Sequence, residues 1–126
     1  MHSTGVAAML VSMALMASAQ ADTCPAIDEI IIAGERHYAS VDGQWKGTGP
    51  AGFSANTLIF IDASISDAAV TCTYADEDKD QAWRIELQRT PGKFVPVEDY
   101  KWPIGSCSAQ TKKREECTFV EHKAGA

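Results

Sequence analysis

Four cysteines constrain the fold of this 126-residue chain more than any other feature of its sequence: Cys24, Cys72, Cys107 and Cys117. An even number of cysteines in a short exported chain indicates a disulfide framework. Four cysteines allow three pairings, and the sequence does not choose among them. We favour Cys24–Cys72, which ties the start of the domain to a mid-chain strand, and Cys107–Cys117, which flanks a short polar segment.

The spacing of the cysteines argues against a metal or redox centre. Zinc sites built from cysteines favour C-x-x-C pairs, and thioredoxin-like redox sites use the same spacing. The chain contains no C-x-x-C, and it contains no H-x-x-x-H or H-E-x-x-H pair either. We therefore predict two structural disulfides, no metal and no cofactor.

The N-terminal residues have the pattern of a secretory signal peptide. Residues 6–16 form an uncharged apolar run that suits a signal-peptide core but is too short for a membrane-spanning helix. Small residues permit cleavage after Ala19 or after Ala21, and we favour Ala21. We thus predict a signal peptide at 1–21, a single β-rich domain at 22–126, and a periplasmic or secreted location.

The distribution of charge limits the classes of partner. Every Lys, Arg, Asp and Glu lies after residue 21, so the predicted mature domain carries the whole net charge of −6. An acidic balance of this kind argues against nucleic acid as the main partner. No other segment is apolar enough to span a membrane, so we predict no membrane insertion.

Alternating apolar and polar residues predict a mainly β domain. The clearest strand covers 82–88, where Trp83, Ile85 and Leu87 point one way and polar residues the other. Other runs with strand character cover 27–32, 37–41, 44–46, 57–65, 70–74, 94–97 and 117–120. We predict six or seven short strands in a small antiparallel β-sandwich or open barrel cross-linked by two disulfides.

Several segments are predicted to be turns or loops. Asp42-Gly43 indicates a type I′ hairpin, and the glycine-rich segment 47–52 predicts a loop without regular structure. The acidic segment 76–80 matches the first ligand positions of an EF-hand but lacks its later glycine and glutamate, so we interpret it as a solvated loop. Segment 106–116 is the best helical candidate, although it has no apolar stripe.

Aromatic and basic residues outside the predicted strands are candidates for binding a partner. Tyr100 and Trp102 adjoin a proline, and alternation predicts that both are buried or both exposed. A basic run, Lys112-Lys113-Arg114, lies between Cys107 and Cys117. A disulfide between these cysteines would restrict the conformations of the run before it binds a partner. The competing interpretations are that the aromatic residues complete a thin core and that the basic run is a solvated turn. The predicted partner-binding residues are Trp45, Tyr100, Trp102, Lys112, Lys113 and Arg114.

No pattern in the chain indicates an enzyme. No serine lies in a G-x-S-x-G motif, and the two histidines after the signal peptide are far apart in sequence. A small hydrolase would need carboxylates such as Asp62 or Glu86 in a cleft, and the sequence does not rank the acids for that role. We predict a non-enzymatic protein with no catalytic residues.

Three cysteine motifs carry a resemblance to a known group. Cys24-Pro25, Cys72-Thr73-Tyr74 and Cys117-Thr118-Phe119 behind a signal peptide resemble small exported bacterial proteins of a domain-of-unknown-function family. The resemblance implies an envelope or secreted β-rich domain and no catalytic residue.

We predict an exported protein that binds another protein, as an inhibitor or immunity protein does. The alternative is a carbohydrate or envelope-polymer binding module that stacks sugars on Trp45 and Trp102.

Overall fold

The structure, a computed structural model, describes residues 21–66, 68–90, 92–109 and 113–122. The predicted signal peptide lies almost entirely outside these residues. The described part contains nine strands and four short 3₁₀ turns, and no α-helix. The strands are β1 Ile30–Gly34, β2 His37–Ser40, β3 Lys46–Thr48, β4 Leu58–Ser66, β5 Ala69–Asp76, β6 Arg84–Arg89, β7 Lys93–Pro96, β8 Ser106–Ser108 and β9 Phe119–His122.

The strands form two antiparallel sheets of unequal size. The larger sheet has seven strands in the order β1-β2-β3-β6-β5-β4-β8, and the smaller one pairs β7 with β9. Strand β7 contacts β4 and β5, so the small sheet packs over that part of the large one. This arrangement confirms the prediction of a mainly β, antiparallel and disulfide-linked domain, with more strands than the six or seven predicted.

The core lies between the two sheets. Strands β5 and β6 direct alternate side chains into it, as period-two patterning requires. Val70, Cys72 and Tyr74 on β5 and Ile85 and Leu87 on β6 are fully buried. The hydroxyl of Tyr74 donates a 2.6 Å hydrogen bond to the Pro25 carbonyl, and burial raises the pKa of this phenol well above its ordinary value.

Both favoured disulfides are present. Cys24 pairs with Cys72 and Cys107 pairs with Cys117, with Cα–Cα distances of 5.8 and 5.7 Å. The four cysteines are at most 1% exposed. The first bond fixes the segment that precedes β1 to the middle of the large sheet, and the second fixes the edge strand β8 to the segment that precedes β9.

The structure corrects two predictions near the start of the domain. Residues Ile27–Glu29 form a 3₁₀ turn, so the predicted strand at 27–32 begins only at Ile30. The hairpin between β2 and β3 exists, but its turn is not type I′, because Gly43 has a positive φ of 76° and Asp42 does not. Asp42 instead accepts hydrogen bonds from the Ser40 hydroxyl and the Gln44 amide, which stabilise a longer loop.

The glycine-rich segment is not wholly irregular, because β3 (Lys46–Thr48) lies in it and pairs with β6. Gly47 lies opposite Leu87, and a Cβ atom at Gly47 would stand 1.7 Å from the Glu86 carbonyl oxygen. Because Gly47 has no Cβ atom, β3 and β6 can approach each other closely enough to pair. Segment 106–116 is also not a helix, since it begins with strand β8 and contains a 3₁₀ turn at Arg114–Glu116.

Candidate functional site

Phe119 is the centre of an aromatic cluster that closes the core. Its ring lies 5.9 Å from that of Phe94, 6.0 Å from that of Trp45 and 6.3 Å from that of Trp102, each in an edge-on arrangement. Trp45 is 4% exposed and Trp102 is 3% exposed. The prediction that these two tryptophans face a partner is therefore wrong, and so is their proposed use as sugar-stacking platforms. The competing interpretation, that they complete the core, is correct.

Tyr100 and Trp102 also differ in exposure, contrary to the prediction that they share a face. Tyr100 is 71% exposed. The two residues do not lie on a strand, because Asp99–Lys101 and Pro103–Gly105 form consecutive 3₁₀ turns. Side chains two positions apart point the same way in a strand but not in a turn of about three residues, so the alternation rule fails here.

Tyr100 belongs to a small polar network on the surface. Its hydroxyl donates a 2.7 Å hydrogen bond to Glu98, and the Lys101 Nζ lies 3.2 Å from the other carboxylate oxygen of Glu98. The Lys101 ammonium also lies 5.8 Å from the centre of the Tyr100 ring. The hydrogen bonds from Tyr100 and Lys101 lower the pKa of Glu98, and the bond to Glu98 raises the pKa of Tyr100. These contacts hold Tyr100 in one orientation.

The basic run has two different environments. The Arg114 guanidinium donates to Thr23 Oγ1 at 3.0 Å and to the Cys24 carbonyl at 2.8 Å, so it fixes the N-terminal segment of the domain. Lys113 is exposed. Lys112 lies outside the described residues. Arg114 thus has a structural role, and Lys113 is the described member of the run that remains free for a partner.

Ile104 is the most exposed large apolar residue among those described, and the sequence analysis did not select it. Its relative exposure is 104% and its φ is 56°. A left-handed conformation is a strong outlier for a β-branched residue, and such strain concentrates at functional positions. The sequence does contain a signal for this residue: an isoleucine between Pro103 and Gly105 is an apolar residue in a segment that is typical of a turn.

Residues 98–105, which we name the tip loop, are held firmly at both ends. Backbone amides of Lys101, Trp102 and Gly105 donate to carbonyls three residues earlier, which closes the two turns. Trp102 anchors the middle of the loop in the core, and Cys107 fixes the residues that follow through its disulfide. The loop therefore presents Tyr100 and Ile104 from a rigid base.

The acidic segment at 76–80 is only partly the solvated loop that was predicted. Asp76 ends β5 and is 3% exposed, whereas residues 77–80 are exposed. The Thr57 hydroxyl near its carboxylate and the Asp78 amide, which donates a 2.9 Å hydrogen bond to Oδ1, lower the pKa of Asp76. Among the described residues, no group of three or more His, Cys, Asp and Glu side chains has an arrangement that could hold a metal ion.

No protein-family model, curated protein sequence or solved structure matches the chain. The resemblance carried by the cysteine motifs therefore stays a prediction. No helix within the described ranges is long and apolar enough to cross a membrane.

Proposed function

We propose that this protein binds another protein through the tip loop, with Ile104 as the anchor residue and Tyr100 beside it. The observation that carries the proposal is the complete exposure of Ile104 at a positive φ. An isoleucine in this state loses both the burial of its side chain and a relaxed backbone. A partner's pocket that buried the Ile104 side chain would restore the favourable free energy of burial.

The rigidity of the tip loop supports the same function. Ordering a mobile loop opposes association, and a loop that is already ordered avoids that cost. Energetically dominant contacts in interfaces cluster around a few anchors, and tyrosine is prominent among them. The turns, the buried Trp102 and the Cys107–Cys117 disulfide supply the order, and Tyr100 and Ile104 supply the anchors.

The charges around the tip loop define the partner further. Glu98, Asp99 and Glu116 lie in or beside it, and Lys101 pairs with both glutamates. The surface is therefore apolar at its tip and acidic at its margin. A protein with an apolar pocket and basic residues at the rim is complementary to it. Because disulfides persist in oxidising compartments, we place this encounter in the periplasm or outside the cell, and we propose no enzymatic activity.

Affinity capture with matched variants tests the proposal. The purified, oxidised protein and its Ile104→Ser and Val41→Ser variants are immobilised and exposed to envelope and culture extracts, and retained proteins are quantified by mass spectrometry. Val41 is 66% exposed in another loop and serves as the control. We expect one protein to be retained by the wild type and by Val41→Ser and to be lost with Ile104→Ser. Equal retention by all three, or retention by none, overturns the proposal.

A further inference from the structure

The exposed side of the seven-stranded sheet carries a second surface, formed by β2, β3 and β6 and independent of the tip loop. Strand register places two rows of side chains side by side there. His37, Thr48 and Glu86 form one row, and Lys46 pairs with Gln88 in the next. Arg84 continues the face along β6. All of these residues except the half-exposed Arg84 are exposed.

Two open cavities run along this surface. One has a volume of about 630 Å³ and is lined by β2, β3 and β6 residues including Lys46 and Gln88. The other is about 470 Å³, and its charged lining residues are Glu35, Arg36 and Arg84. His37 and Thr48 line both cavities, so the two form one continuous strip, which we name the sheet groove.

The sheet groove contains three cations that form no ion pair within the described part of the chain. Arg36, Lys46 and Arg84 form no ion pair with any carboxylate of the described residues, whereas Arg89, Lys101 and Arg114 do. The protein as a whole has a net charge of −6. Unpaired cations gathered on one face of an acidic protein favour a ligand with negative charges.

The other groups in the groove narrow the class of ligand. Thr48 and Gln88 line the groove and offer hydroxyl and amide groups, and Glu86, opposite Thr48 on β6, adds an exposed carboxylate at its border that accepts hydrogen bonds but repels anions. A uniformly acidic peptide would gain nothing from Glu86. A sugar chain with spaced carboxylates would use the whole set, because its hydroxyls can donate to Glu86 while its carboxylates pair with Lys46 and Arg84.

We infer that the sheet groove binds a linear acidic polysaccharide of the uronic acid type. Aromatic side chains are absent from the described lining residues, so recognition rests on charge and hydrogen bonds and not on stacking. Lys46 lies opposite Gln88 on β6, four residues from Arg84, so the two cations lie roughly 14 Å apart along the strand and pair with sugar carboxylates at that spacing. Glu86 and Thr48 bind the hydroxyls between the charges.

Isothermal titration calorimetry of the purified protein with a hexamer of galacturonic acid tests this inference. The fully methyl-esterified hexamer has the same sugars without charge, and a poly-glutamate peptide has similar charge without hydroxyls. We expect the acidic hexamer to bind and the other two to bind at least about tenfold more weakly. Absence of binding by the acidic hexamer, or equal binding of the methyl ester, overturns the inference. Equal binding of poly-glutamate does so as well, because it would indicate an acidic peptide as the ligand.

Variants locate the site and separate the inference from simple charge attraction. Lys46→Gln and Arg84→Gln should each weaken binding of the acidic hexamer by about tenfold, whereas Lys93→Gln, on the other sheet, should not. Glu86→Gln should weaken it by about threefold if Glu86 accepts from hydroxyls. Tighter binding of the acidic hexamer by Glu86→Gln would show that the attraction between opposite charges alone holds the ligand. Amide chemical shifts of the wild type should change along β2, β3 and β6, and changes confined to other strands would contradict the assignment.

Discussion

Trp102 and Ile104 are separated by one residue and have opposite environments: the indole is 3% exposed and the isoleucine is completely exposed. The 3₁₀ turn at Pro103–Gly105 produces this contrast, because it directs one side chain inward against Phe119 and leaves the next at the tip of the loop. The same turn therefore anchors the loop and presents its binding residue.

Relief of the strain at Ile104 should stabilise the protein while it removes the proposed anchor. We expect Ile104→Gly to raise the free energy of unfolding by about 1 kcal/mol, because a left-handed conformation costs a residue with a Cβ atom about 1–2 kcal/mol. Urea denaturation followed by tryptophan fluorescence measures the change. Ile104→Val keeps the strain and should leave stability unchanged. A loss of stability in Ile104→Gly would mean that the side chain packs on the protein.

The two aromatic residues of the tip loop should differ sharply in their effect on stability. Trp102→Ala should lower the free energy of unfolding by about 3–5 kcal/mol, because it empties a buried site beside Phe119. Tyr100→Ala should change it by less than about 0.5 kcal/mol. Trp102→Phe is a useful comparison, since Nε1 of Trp102 has no hydrogen-bond partner among the described residues. It should cost less than Trp102→Ala. Equal costs for Tyr100→Ala and Trp102→Ala would contradict this picture.

Removal of the two disulfides should destabilise the domain unequally. The residues of the first bond are 48 positions apart and those of the second are 10 apart. Loop-closure entropy then assigns about 4 kcal/mol to Cys24–Cys72 and about 3 kcal/mol to Cys107–Cys117. Guanidinium unfolding of the Cys24→Ser/Cys72→Ser and Cys107→Ser/Cys117→Ser variants measures both. A reversed order would show that loop length does not set the stabilisation.

Gly47 should tolerate no side chain. Gly47→Ala places a methyl group against the Glu86 carbonyl, so β3 and β6 must separate, and we expect a loss of about 2 kcal/mol or more. Gly43→Asn is the matched control: Gly43 has open space around it, and asparagine accepts its positive φ better than most residues. Thermal unfolding of both variants tests the comparison. If Gly47→Ala lowered the unfolding temperature no more than Gly43→Asn does, the close approach of β3 and β6 would be refuted.

Acid should weaken the fold through Asp76. Hydrogen bonds lower the pKa of Asp76 in the folded protein. Its ionised carboxylate therefore contributes fully to the free energy of unfolding above the ordinary aspartate pKa of 3.8. This contribution disappears as the pH falls through the lower pKa of the folded state. The free energy of unfolding should therefore decline more steeply below about pH 4 in the wild type than in Asp76→Asn. Urea midpoints from neutral pH to strong acid measure both curves. Parallel curves would exclude this role.

The large sheet and the disulfides follow from patterns that strands impose locally. Ile85 and Leu87 alternate with polar residues because one face of β6 meets the core, and both, together with Trp83 directly before β6, are buried as predicted. Cys72 shares its face with Val70 and Tyr74, which brings it to the core side where Cys24 can reach it. Such features depend on period-two geometry, which a sequence shows directly.

The binding surfaces do not follow from those patterns. The spacing of Tyr100 and Trp102 matches a strand and predicts that they share a face, but tertiary packing selects turns there. Gly47 has no side chain to contribute to a pattern, so its strand became apparent only through its pairing with β6. The sheet groove is formed by β2, β3 and β6, and no local rule reveals that His37 and Glu86 lie in one row.

The position of Phe119 in the chain governs when the core can form. Its ring joins Trp45, Phe94 and Trp102, and its backbone pairs with Asp22, almost a hundred residues earlier. A chain that emerges N-terminus first, from a ribosome or an export channel, presents all of these partners before Phe119 arrives. Contacts between distant parts of a chain form late and slowly. The aromatic cluster therefore cannot be completed until Phe119 has emerged, and a chain interrupted before Phe119 lacks the ring on which Trp45, Phe94 and Trp102 pack.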